Sequence, residues 1–302
     1  MALRGKEMKS IVTGGAGFIG SHVVDKLVDL GHKVIVIDDQ SATAHEHFYF
    51  NNKASYHCKS IANSYVSGLF EGVDYVFHLA AESRIQPALK NPELAIETNV
   101  LGTCKVLQYA LKHGVKRVMY SSTSSAYGLI NPIPLKEDMK KDCLNPYSIT
   151  KVAGEDFCKM YTNLYGLETV TFRYFNVYGE RQPTKGQYAP VIGLFQRQSE
   201  AGQPMTVVGD GEQTRDYTHV SDVVAANVAA MTAPEEACGE IFNIGTGTNH
   251  SVNDIARMIG GDVTHIPARL GEARDTLADI SKAKRILNWE PKIKLEDWLN
   301  EF

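Results

Sequence analysis

Residues 11–20 read "IVTGGAGFIG". An apolar run, "SIVT" (10–13), predicts a strand that passes into a glycine turn, and "FIGSHVVDKLVDLG" (18–31) predicts a helix directly after it. That helix carries Ile19, Val23, Leu27 and Leu30 on one face and closes on Gly31. In this strand–turn–helix setting each glycine has a task. Gly14 permits the tight turn, Gly17 lets backbone approach a diphosphate, and Gly20 allows close helix–strand packing. The diphosphate then rests on the helix N-terminus, drawn by its free N–H groups and dipole. Asp38 and Asp39 end the next strand, "KVIVID" (33–38), with Asp38 eighteen residues past Gly20, where a carboxylate accepts hydrogen bonds from ribose hydroxyls. No Arg stands between Arg4 and Arg84 to pair with a 2′-phosphate, and the acidic pair repels one. NAD is therefore favoured over NADP.

Outward from this loop the pattern repeats. "DYVFHLA" (74–80), "RVMYSS" (117–122) and "TVTFRYF" (169–175) read as strands, and helical stretches stand between them. One, "NPELAIETNVLGTCKVLQYALKHG", has Pro92 early and Gly114 at its end. Near-continuous apolar strands alternating with helices predict a Rossmann-type, doubly wound parallel sheet of the α/β class. After about residue 176 Gly and Pro become frequent and strands shorten. Residues 1–176 are expected to form the dinucleotide domain and 177–302 a smaller C-terminal α/β lobe over the carboxyl ends of the strands, where open sheets bind ligands.

The 302 residues are 43 % apolar and 22 % charged, with a formal charge of −4, which excludes nucleic acid or an anionic membrane as the main partner. No apolar run approaches the roughly 18 residues of a membrane span. The opening "MALRGKEMKS" lacks the apolar centre of a secretory signal, and Met8 is an alternative start. Cys58, Cys104, Cys143, Cys158 and Cys238 are scattered without a C-x-x-C pair. That predicts no disulfide framework, no metal site, and a reducing, cytoplasmic setting.

Chemistry needs a proton carrier beside the dinucleotide. "NPYSITK" (145–151) predicts a helix with Tyr147 in its first turn and Lys151 one turn on, on the same face. A phenol ordinarily ionises near pH 10, and both Lys151 and a positive nicotinamide ring favour the phenolate. The hydroxyl run "SSTSS" (121–125) closes the preceding strand, so Thr123 or Ser124 can bond substrate and phenolate together. A second Y-x-x-x-K, Tyr49–Lys53, lies in a loop-like stretch with no hydroxyl run ahead of it and is assigned no chemistry.

The ordered motifs "TGGAGFIGSH", "VFHLAA", "NVLGT", "SSTSSAYG", "YSITK", "RYFNVYG" and "TRDYTHVSDV" resemble the extended short-chain dehydrogenase/reductase family, in its nucleotide-sugar epimerase/dehydratase branch, over residues 9–290. The resemblance implies NAD held by Gly14, Gly17, Phe18, Ile19, Asp38, Asp39, Ser60, Ile61, Leu79, Ala80, Ala81, Asn99, Ser121, Tyr147, Lys151 and Tyr174. It implies a nucleoside-diphosphate sugar held by Ser83, Thr123, Tyr147, Asn176, Gln187, Tyr188, Thr206, Val208, Arg215, Arg269, Glu272 and Thr276. Tyr147 would be the acid/base, assisted by Lys151, Thr123 and Ser124.

Within that family, dehydratases carry an acidic pair beside the central hydroxyl residue, and decarboxylases usually keep its Glu. Ser124 and Ser125 stand there instead, so elimination lacks its acid and base. What remains is 4-epimerisation of a UDP-hexose: Tyr147 takes the C4 proton, hydride passes to NAD, and the flat 4-keto sugar turns before hydride returns to its other face. Thr276, by its register on "LAD", falls where a residue's bulk limits the C2 substituent, implying UDP-GlcNAc/UDP-GalNAc alongside UDP-Glc/UDP-Gal. The alternatives are a GDP-, CDP- or dTDP-sugar or UDP-glucuronate as substrate of an epimerase or oxidoreductase, or a non-catalytic dinucleotide sensor. Two features depart from the family pattern: Ser60 where an Asp often contacts adenine, and Glu82 where an amide or small residue is usual. The resemblance further implies a homodimer through a four-helix bundle built from 92–113 and 147–165.

Overall fold

A computed structural model describes residues 7–42, 45, 47–63, 65–184, 190–268 and 274–301. Six strands follow one another along the first part of the chain: β1 (Lys9–Thr13), β2 (Lys33–Asp38), β3 (Ser55–Cys58), β4 (Tyr75–His78), β5 (Arg117–Thr123) and β6 (Glu168–Tyr174). A seventh, Glu240–Ile244, joins the far edge beside β6. All pair in parallel, in the spatial order 240–244, β6, β5, β4, β1, β2, β3. The order turns around between β1 and β4, which opens a crevice at their carboxyl ends.

Alternation along each strand explains why helices must cover both faces. Ile11, Ile35, Ile37, Val76 and Val118 point to one side. They pack on Val106, Leu107 and Ala110 of helix α4 (Thr103–Lys112) and on Cys158 and Tyr161 of helix α5 (Pro146–Tyr165). Their neighbours Val12, Val34, Val36 and Phe77 point to the other. There they meet Val23, Val24 and Leu27 of helix α1 (Phe18–Asp29) and a helix from the second half of the chain, Val220–Met231. Arg117 bolts that later helix to the sheet, since its buried guanidinium donates to the carbonyls of Ala230 (2.5 Å) and Ala233 (2.9 Å).

Residues beyond 176 are therefore split between two places. The strand 240–244 and the helix 220–231 complete the large sheet. A separate apolar cluster gathers Ile192, Phe195, Met205, Val207, Tyr217, Ile255 and Trp298. Two departures from the sequence reading bear on the site. The helix expected over 92–113 is not uniform: α3 (Pro92–Ala95) widens into a π-helical segment, Ile96–Gly102, before α4 begins. And β3, a half-exposed edge strand, carried no apolar alternation to reveal it.

Candidate active site

A cavity of about 760 Å³ opens over the carboxyl ends of β1, β2, β4 and β5. Its floor is the glycine loop. Gly14 has φ +71°, and a Cβ there would sit 2.7 Å from the Ala80 nitrogen. A Cβ on Gly20 would fall 2.0 Å from the Gly14 carbonyl oxygen, so α1 can start this close to the turn only without a side chain. Gly17 caps α1 with no side-chain cap and no acidic residue in the first turn, which leaves the helix's first N–H groups for a ligand. The Asp38 carboxylate braces the same loop, accepting from the Ala16 N–H at 2.9 Å and the Gln40 N–H at 2.8 Å; burial raises its pKa. These residues fit a dinucleotide: an anion cradle at one helix end and paired acids at the ribose position.

The loop after β4 forms the opposite wall. Thr13 accepts from the Ala80 N–H at 3.1 Å and bonds the His78 ring at 2.8 Å; the other ring nitrogen meets Thr103 at 2.9 Å. Fully buried, His78 is pushed down to about 3 and stays neutral. Asn99 lies behind this wall instead of lining the cavity, because its carboxamide is spent on the backbone of Glu82 and on Thr150. Ser60 also lines the cavity, and its hydroxyl accepts from the N–H groups of Ala62 and Asn63.

Helix α5 delivers the tyrosine and lysine. Asn145 caps it, accepting from the Ser148 N–H at 2.9 Å while Ser148 reaches back, and Pro146 sets the first turn. Tyr147 and Lys151 consequently share one face, and both line the cavity with Ser121, Thr123, Ser124 and Tyr174. Burial raises the Tyr147 phenol, and hydrogen bonding with Thr123 pulls it back. Burial pushes Lys151 down to about 8. Its ammonium rests over the face of Tyr120.

Beneath the hydroxyl run lies a charged pair that the sequence reading missed. Arg173 donates twice to the fully buried Glu155, at 2.8 Å each, and the Ser122 hydroxyl donates to the same carboxylate at 2.6 Å. Arg173 also stacks on Tyr127 at 4.5 Å. The motif "RYFNVYG" held this Arg, but nothing local marked its partner.

The other end of the cavity is lined by Ser83, Asn176, Thr206, Val208, Arg215 and Thr276. Arg215 donates to the carbonyls of Thr214 and Arg274, both at 2.9 Å. Thr276 is buried, its hydroxyl accepting from the Asp216 N–H (3.4 Å) and the Asn176 side chain (3.5 Å). Asp216 in turn accepts from Thr246, Gly247 and Ala278, tying three segments together. Gln187, Tyr188, Arg269 and Glu272 lie outside the described residues. Many further residues line the cavity without any signal in the sequence to place them there, His45, Phe48 and Arg84 among them.

Fold and cavity together define a doubly wound dinucleotide-binding protein with a Tyr–Lys helix and a hydroxyl strand end beside the dinucleotide cleft. Residues 10–245 match the NAD dependent epimerase/dehydratase family, and the chain belongs to it. A UDP-glucose 4-epimerase of Mycolicibacterium smegmatis is 35 % identical over 302 residues, covering 96 % of each chain. The solved structure of a Thermotoga maritima UDP-glucose 4-epimerase with UDP-glucose is 37 % identical, with a TM-score of 0.90 over 97 % of this chain and 96 % of that one. A UDP-N-acetylglucosamine 4-epimerase from Methanobrevibacter ruminantium M1, in complex with UDP-N-acetylmuramic acid, is 31 % identical, with a TM-score of 0.92 over 98 % of this chain and 97 % of that one. No described helix is long and apolar enough to cross a membrane, and no His/Cys/Asp/Glu cluster among the described residues is arranged to hold a metal.

Proposed function

We propose that the chain interconverts the C4 epimers of UDP-hexoses, accepting UDP-GlcNAc/UDP-GalNAc together with UDP-Glc/UDP-Gal. One observation carries this reading: the Tyr147 phenol meets Thr123 in the dinucleotide cavity, while the two positions after Thr123 are the uncharged Ser124 and Ser125. Bound NAD would supply the reversible hydride acceptor at C4. Tyr147 would take and return the C4 hydroxyl proton, and Thr123 would hold that hydroxyl against the phenol. Lys151 would keep the phenolate side of the equilibrium populated once the sugar covers it. Asp38 ends β2 and Asp39 follows it, three strands from β5 and so roughly 14 Å away, too far to serve as elimination acid or base.

Arg215 would face the substrate diphosphate. Thr276, small and already engaged by Asn176 and the Asp216 N–H, leaves the C2 side of the sugar unobstructed, which supports acceptance of an N-acetyl group. The dinucleotide domain would carry the Tyr–Lys pair, with the cluster around Phe195 and Trp298 forming the nucleotide-sugar lobe. A homodimer through the two helical stretches fits the apolar side chains they expose, with Ile96 at 54 %, Leu101 at 44 % and Ile149 at 56 %. The thiols are unpaired among the described residues, which suits the cytoplasm.

The deciding experiment offers each UDP-sugar separately, with no NAD added, and separates the products by chromatography. Epimers formed without net NADH or CO₂ are expected. Net NADH, released CO₂ or a 4-keto-6-deoxy product would overturn the assignment. Turnover of GDP- or CDP-sugars in preference to UDP-sugars would overturn the choice of nucleotide.

A further inference from the structure

The loop Leu79–Arg84 leaves β4 and ends at the residue that caps a short helix, α2 (Ile85–Lys90). Arg84 has φ +84° and ψ 147°, a conformation suited to glycine that costs a side-chain-bearing residue on the order of 1–3 kcal/mol. The surroundings enforce it. Asn99 accepts from the Glu82 N–H at 2.8 Å and donates to the Glu82 carbonyl at 3.0 Å, while its 2.9 Å bond to Thr150 ties the loop to α5. Two residues before Arg84 the backbone is therefore held on both its polar groups and cannot relax. Glycine would satisfy this backbone without strain. Arginine places a guanidinium in the cavity instead.

Among the described residues no hydrogen bond or ion pair holds that half-buried guanidinium. It interacts electrostatically with the Glu82 carboxylate and with His45, whose pKa burial and then Arg84 lower. The His45 ring lies 3.6 Å from where a Cβ on Gly17 would stand, against the glycine loop, and Glu82 in turn feels Asp39. All of these line the cavity whose floor is the glycine loop. Gly17, Phe18 and Ile19, at the uncapped N-terminus of α1, line that cavity too.

We infer that Arg84 is a cofactor-binding residue that closes the open side of the diphosphate site, so that the NAD pyrophosphate is gripped between the start of α1 and this guanidinium. A planar fork suits two phosphate oxygens, and a diphosphate held from one side only by backbone N–H groups lacks a full counter-charge. Glu82 gains a role as well: it supplies the local counter-charge to Arg84 and, with Asp39, repels a 2′-phosphate. A substrate carboxylate is the other anion such an arginine can read, but the His45 ring with which it interacts lies against the glycine loop.

The inference is independent of which sugar is turned over, and its test is too. Arg84→Gly and Arg84→Lys are compared with the parent chain for NAD retained per chain on purification. Affinity of the NAD-depleted protein for NAD, ADP-ribose and adenosine is measured, together with its melting temperature. For Arg84→Gly, at least tenfold weaker binding of NAD and ADP-ribose is expected, with adenosine affinity changed less than threefold and a melting temperature equal or higher. Arg84→Lys should fall between. Unchanged affinity for NAD and ADP-ribose would overturn the inference. So would an equal loss for adenosine with a lower melting temperature, which marks a merely structural residue. Loss of UDP-glucuronate affinity with NAD binding intact would make Arg84 a substrate reader and overturn it equally.

Discussion

The Lys151 ammonium stands 4.5 Å from the centroid of the Tyr120 ring, whose hydroxyl donates to the Lys151 carbonyl at 3.1 Å. Gly154 makes this possible, since a Cβ there would lie 2.1 Å from the Tyr120 oxygen. A buried cation over an aromatic face gains about 2 kcal/mol when desolvated. Tyr120 therefore holds the ammonium charged at a site where burial already pushes it down to about 8. Tyr120→Phe keeps the face and should leave turnover within about threefold of the parent. Tyr120→Leu removes the face and should move the alkaline limb of the kcat/KM profile to lower pH by about one unit, since each unit is about 1.4 kcal/mol. Identical profiles for the two variants would refute the role.

Tyr147→Phe removes the phenolic oxygen alone. Turnover should fall by about 10²–10⁴, the usual contribution of a positioned acid/base. NAD content per chain should not change. Turnover within tenfold of the parent would refute Tyr147 as the proton carrier.

These side chains could be read before any coordinates because the features that place them are local. The glycine turn, the Asn145–Pro146 cap and a four-residue step fix Gly17, Tyr147 and Lys151 within a few bonds. What was hidden depends on partners distant in sequence or on backbone angles. Asn99 turns inward because a π-helical segment shifts the helical phase, and no side-chain pattern announced it. Arg84 resembles any surface arginine until its φ is known. Glu155 and Arg173 look like solvated charges in separate elements and meet only when α5 crosses β6. The strand 240–244 is a five-residue run whose sheet neighbour lies some seventy residues earlier.

Glu155→Gln leaves the Arg173 guanidinium buried without its charge partner. Unpairing a buried ion pair costs about 3–5 kcal/mol, and a loss of that order is expected in urea unfolding. Adding Arg173→Met to Glu155→Gln should recover part of it. A single variant as stable as the parent would contradict the pairing.

His78 remains neutral when folded, held to about 3, and titrates near 6.5 when unfolded. Between those values the unfolded chain binds the extra proton, so this histidine's contribution to stability is complete above pH 6.5 and is lost as pH falls toward 3. Stability of the parent minus that of His78→Gln, followed by urea unfolding from pH 7 to pH 4.5, should decline steadily on acidification. A difference independent of pH would refute it.

The return of the chain at 240–244 to the edge of the sheet has a practical bearing on modularity. The cluster around Phe195 and Trp298 draws on chain both before that strand (Ile192, Phe195, Met205, Val207 and Tyr217) and after it (Ile255 and Trp298). A truncation after residue 176 would strip the cover from one face of the sheet and bare the backbone edge of β6, so the fragment should precipitate instead of surviving as a free-standing cofactor module. Exchange of that cluster between relatives would have to carry two separate segments of chain, one on each side of the strand 240–244, while leaving that strand in its place beside β6.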